Sequence, residues 1–132
     1  MGQQQLLLIV LGVIIVGIAV VVGINLFNAS AEESAKDTVV SEATNIAAMG
    51  LQHYKKPAAL GGGGGSFDGS TTTTGKDFAD IVPVTLTSTD FTSHVVVTAP
   101  DELTITSNHN DYDGWTVTVT VTGAGVYSTD IQ

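Results

Sequence analysis

The sequence predicts an α+β protein, in which a long N-terminal helix, apolar in front and amphipathic behind, packs on a C-terminal antiparallel sheet of about four strands. Three patterns carry that reading. Residues 6–27, LLLIVLGVIIVGIAVVVGINLF, are apolar apart from Gly12, Gly17, Gly23 and Asn25, and no charged residue precedes Glu32. Residues 24–54 then repeat small or apolar side chains at spacings of three and four. From Phe78 onward the period falls to two, most strictly in WTVTVTVT at residues 115–122.

A helix rises about 1.5 Å per residue, so the first run spans the ~30 Å hydrocarbon layer of a bilayer. A helix in water needs a polar face, and this one has none. It belongs in lipid or among copies of itself. A secretory signal peptide is the rival reading, with an A-x-A-like site at residues 29–31. Against it, residues 1–5 carry no Lys or Arg, and the run is longer than a simple signal core.

The stripe Ile24, Phe27, Ala31, Ala35, Val39, Ala43, Ile46, Gly50 and Tyr54 continues the helix, with Glu32, Glu33, Lys36, Asp37, Glu42 and Gln52 mostly on the other face. Pro57 stops it, and Lys55 and Lys56 complement the dipole in the last turn. One helix is therefore expected from about Gln4 to about Tyr54, roughly 75 Å long. Two helices hinged at residues 25–30 are the alternative. Gly12, Gly17 and Gly23 each weaken a helix by ~1 kcal/mol relative to Ala, but small residues let helices approach closely in lipid.

Residues 57–77 read as a linker, because five consecutive glycines, 61–65, lose much entropy on ordering. A phosphate loop fails here: Asp77 follows Gly75-Lys76, and Ser70 stands where the first P-loop glycine belongs. Phe67 is the apolar anchor, and Thr71, Thr72, Thr73 and Thr74 read by composition as a glycosylated surface.

In the head, residues 78–132, strands are expected at 78–87 (an edge or bulge, given Pro83), 91–99, 102–107 and 115–122, with a fifth short strand at 126–131 as an option. Residues 108–114, NHNDYDG, read as a turn. Val117, Val119 and Val121 face inward on one side of the sheet, and threonines face outward.

The net charge is −9, with four lysines and no arginine. Nucleic acid needs a basic patch, so that partner class is discounted. With no cysteine, disulfides, thiolate metal sites and Cys nucleophiles are excluded. His53, His94 and His109 share no metal spacing. An EF-hand register on Gly114 would put its first ligand at His109 and its twelfth at Thr120, and so fails. A looser calcium loop from Asn108, Asn110, Asp111 and Asp113 stays open against a plain acidic turn. No G-x-S-x-G elbow or paired-carboxylate site occurs, so no enzyme and no cofactor is expected. Asn28-Ala29-Ser30 is a glycosylation sequon.

The front of the chain, MGQQQ and then the apolar helix, resembles the processing site of type IV pilins and archaeal-type pilins, over residues 1–55. The resemblance implies that a prepilin peptidase cuts on the cytoplasmic side between Gly2 and Gln3, leaving residues 1–2 as a leader. Residues 3–27 would then be the transmembrane and filament-core helix and 28–56 its amphipathic continuation, with Gly12, Gly17, Gly23 and Phe27 packing the core. Local melting at the glycines on leaving the membrane is also implied. Bacterial type IV pilins usually carry Glu as the fifth mature residue; here that place falls on Leu7, or on Gln5 if Met1 is the mature start. The leader also lacks a basic residue.

The expected role is thus structural: a subunit inserted in the cytoplasmic membrane and then polymerised with identical copies into a cell-surface filament by pilus assembly machinery with an ATPase motor. Two alternatives share the architecture. One is a type II secretion pseudopilin, a group that binds calcium in its C-terminal region. The other is a membrane-anchored β-domain that binds a ligand.

Overall fold

The computed structural model describes residues 2–70, 75–83, 85–125 and 127–132, with the backbone alone at Ile81. Met1, the alternative mature start, and the threonine run 71–74 lie outside the described residues. The first helix, α1, runs Gly2–Lys55, and residues 25–30 are helical, so the alternative hinge is not seen. The chain forms two compact units, Met1–Ser34 and Ala35–Gln132. Within the first, the described residues are one helical segment.

The second unit holds residues 35–55 of α1, a 3-10 turn at Ala58–Leu60, a one-turn helix α2 at Phe78–Ile81, and five strands: β1 Thr85–Thr87, β2 Phe91–Ala99, β3 Glu102–His109, β4 Tyr112–Thr122 and β5 Tyr127–Ile131. They form one antiparallel sheet in chain order, β1-β2-β3-β4-β5. The sheet therefore has five strands where about four were expected.

Two expectations are corrected. Residues 78–81 are helix, not strand: Asp77 accepts a hydrogen bond from the Ala79 amide at 2.9 Å, an N-cap that starts a turn. The Phe78 ring is buried in the core, and among the described residues just beyond Pro83 the strand is Thr85–Thr87. The turn expected over 108–114 narrows to Asn110 and Asp111, with β3 ending at His109 and β4 starting at Tyr112. Asn108, Asp113 and Gly114 are strand residues.

The period-two pattern sets the core. Cross-strand rows Ser93–Ser107–Val117 and Val95–Ile105–Val119 are fully or almost fully buried. Against them α1 lays Ala35, Val39, Ala43, Ile46, Ala47, Gly50 and His53. Burying each Val or Ile is worth roughly 1.5–3 kcal/mol, so this face is what seats the rear of α1. The expected stripe is buried only from Ala35 on; Ile24 and Phe27, in the first unit, are 56% and 77% exposed. Gly50 permits a close approach to the sheet, since a Cβ there would overlap the Leu103 side chain.

The core face of the sheet is covered unevenly. Tyr127 and Ile131 on β5 pair with the buried Val121 and Val117, yet are themselves 43% and 48% exposed. Under the start of this packing lies Trp115, with the Lys36 ammonium 5.6 Å from its ring centroid. Its Nε1 is buried without a hydrogen-bond partner among the described residues.

Candidate functional site

In the first unit, every large apolar side chain from Leu6 to Phe27 is exposed, between 47% and 77%. The segment has the length and composition to cross a membrane. Gly2 and Gln3 are exposed at its start, and Asn28 is exposed and helical. A Cβ at Gly12, Gly17 or Gly23 would meet nothing within 4 Å. On a helix of 3.6 residues per turn, Gly12 and Gly23 fall within about 20° of each other, whereas Gly17 lies roughly 120–140° from them. The three glycines therefore lie on two faces, and close helix contacts at all three need neighbours on both. Phe27 is the most exposed large apolar residue of the segment.

In the second unit, the glycine run has a definite place. A helix leaves its last carbonyls without partners, and this one is answered by the loop directly after it. The Gly63 amide donates to the His53 carbonyl at 3.0 Å, Gly64 to Lys56 at 3.0 Å, and Gly65 to Tyr54 at 2.9 Å. Side chains are excluded here for a steric reason: a Cβ on Gly62 would overlap the Lys56 carbonyl, and one on Gly63 the Ser66 carbonyl. The linker expected at 57–77 is, over 61–65, the C-terminal cap of α1.

The cap is closed by three further ties. His53 donates Nε2–H to the Lys76 carbonyl at 2.7 Å, since a carbonyl only accepts. The Lys76 amide donates to Gly62 at 3.3 Å. Phe67, the expected anchor, is fully buried, packs against the Tyr54 ring at 4.9 Å between centroids and a 45° tilt, and accepts the Phe78 amide at its carbonyl. Asp68 receives the Ser66 hydroxyl and, at 2.9 Å, the Ser70 amide. These donors, the Ser66 hydroxyl foremost, hold its carboxyl below the usual carboxylate range.

Of the calcium-loop residues, Asn110 has its side chain engaged by the chain itself. Asn110 donates Nδ2–H to the carbonyls of Ser88 and Thr89 at 3.0 and 3.1 Å, and its Oδ1 accepts from the Thr92 hydroxyl at 2.9 Å. Its carboxamide thus staples the β1–β2 loop to the β3–β4 hairpin. The Asp111 amide donates to His109 Nδ1 at 3.2 Å, and the His109 ring meets Tyr112 edge-on. Asn108 lies opposite Thr92 in the ladder, and Asp113 is exposed on β4. Among the described residues, no three His, Cys, Asp or Glu side chains gather at a metal distance.

The sequence reading missed the cap and the Asn110 staple. The run of glycines directly after a Lys-rich helix end was the available signal for the first. The second joins residues about twenty apart, which local pattern does not reveal. In comparisons with protein-family models, curated proteins and solved structures, nothing matches this chain.

Proposed function

We propose that the chain is the structural subunit of a type IV pilus-like helical filament, assembled from identical copies after residence in the cytoplasmic membrane. The observation that supports this most is the continuity of α1: one helix carries an uncharged segment exposed on all sides and then a stripe buried against a β-sheet. Exposed apolar surface on that scale requires a cover. Lipid supplies it before assembly, and neighbouring helices supply it afterwards. Lipid-to-protein transfer gains little per side chain, so contacts at Gly12, Gly17, Gly23 and Phe27, with contacts between heads, provide the drive. The role is structural, with no catalysis. Processing between Gly2 and Gln3 by a prepilin peptidase, and extraction by an assembly motor, belong to the same proposal.

Electron microscopy of material sheared from producing cells tests it. Long fibres containing this chain are expected, and mass spectrometry should find a mature N-terminus at Gln3. Short, cell-bound assemblies would favour the pseudopilin alternative. Detergent-extracted monomers with no fibres at any stage would favour a membrane anchor, the reading to which the membrane-crossing length of α1 also lends itself.

A further inference from the structure

An open depression of about 880 Å³ lies over the last two turns of α1, with Met49, Leu51 and Tyr127 among its apolar lining and Lys55 and Lys56 at its end. Met49 and Tyr127 are 42% and 43% exposed. In a chain of net charge −9 with only four lysines, two adjacent lysines beside an apolar floor are an electrostatic exception.

We infer that this depression receives the segment 26–33 of a second copy. That segment carries the complementary pattern: Leu26 and Phe27, 70% and 77% exposed, and then Glu32 and Glu33, the first charges in the chain. The spacing matches as well. Leu26 precedes Glu33 by seven residues, two turns that return to the same helix face, and Met49 precedes Lys56 by seven. Parallel helices offset by 23 residues, about 35 Å, therefore set Leu26 over Met49 and Glu33 beside Lys56. Donor and acceptor surfaces differ, so the contact is heterologous and propagates instead of closing into a pair. Exposed ion pairs add little affinity, about 0–1 kcal/mol; apolar burial holds the contact and the charges choose its register. The inference rests on the filament reading and specifies one contact within it.

The absence of cysteine in the natural chain makes a cross-linking test clean. Leu26→Cys and Met49→Cys are introduced together in the full chain in producing cells and treated with a short bifunctional maleimide. A ladder of dimers and higher multimers is expected, and none from Leu26→Cys with Thr106→Cys on the opposite face of the sheet. Adding Lys55→Glu and Lys56→Glu should abolish the ladder. Further adding Glu32→Lys and Glu33→Lys should restore it. Unchanged Trp115 emission shows that each variant is folded. Filaments without a ladder, or a ladder indifferent to lysine reversal, would overturn this contact and leave the filament reading standing. A charge-sensitive ladder without filaments would support the contact and overturn the filament. Neither filaments nor ladder would overturn both.

Discussion

His53 and Lys76, 23 residues apart, are joined by a 2.7 Å hydrogen bond from imidazole Nε2 to main-chain carbonyl. His53 is 7% exposed, and its ring packs 5.6 Å from that of Phe78. The bond fixes the return of the chain from the glycine cap to α2. A histidine on the buried face of a helix is thus a structural clamp, holding a loop in place through its ring nitrogen.

Replacing His53 with alanine removes the donor, strands the Lys76 carbonyl and opens a void. Those effects together are expected to destabilise the second unit by about 2–4 kcal/mol. His53→Gln, which retains an amide donor, should recover part of the loss. Urea unfolding of the full chain in detergent, tracked by Trp115 emission, measures both.

Gly50→Ala sets two effects in opposition. Alanine is the better helix former by about 1 kcal/mol. Its methyl would overlap Leu103 in a core that also holds Phe67 and Phe78. Overpacking of this kind costs about 1–3 kcal/mol, so a net loss of stability is expected. A rise in melting temperature would show that the Leu103 side chain yields freely.

The Ser93 and Ser107 hydroxyls meet at 2.7 Å in the core, on paired residues of β2 and β3. Either serine changed to alanine leaves a buried hydroxyl unsatisfied, at about 1–3 kcal/mol. The double alanine variant should be less destabilised than the two single losses added together. A double-mutant cycle gives the coupling, and simple additivity would show that the bond contributes nothing.

Asp68 sets an acid response. Its carboxyl is held below the ordinary value by the Ser66 hydroxyl and by Ser70. A folded pKa below the unfolded one adds stability above the unfolded value and loses it as pH falls through the folded one. Asp68→Asn should therefore flatten the fall in stability below about pH 4, leaving neutral-pH folding intact. Equal slopes for both proteins in acid denaturation would refute this.

The elements with strong periodicity were legible in the sequence. The Val–Thr alternation of β4 and the three–four stripe from Ala35 each matched a buried face. Local pattern misled where tertiary contacts dominate. Phe78 looked like the start of a strand, but Asp77 caps it into a helical turn and its ring fills the core. The Asn110 carboxamide bonds Ser88, Thr89 and Thr92, partners about twenty residues away that local pattern does not reveal. The candidate segment 6–27 was plain from composition, because nothing but a bilayer or another apolar surface accommodates such a run. The depression near Lys55 was hidden, since it joins the end of α1 to Tyr127 on β5.

Five identical residues in a row look like filler that a gene can lengthen or shorten at will, and such tracts are where copying slips. Here Gly62 and Gly63 lie against main-chain carbonyls, and three successive amides, from Gly63 to Gly65, donate to the helix end. One glycine more or fewer would displace the downstream residues by about 3.3–3.6 Å of chain. Phe67, only two positions downstream and wholly enclosed, would be pulled from its seat. The stretch that looks most dispensable is therefore the one whose length heredity must copy without error.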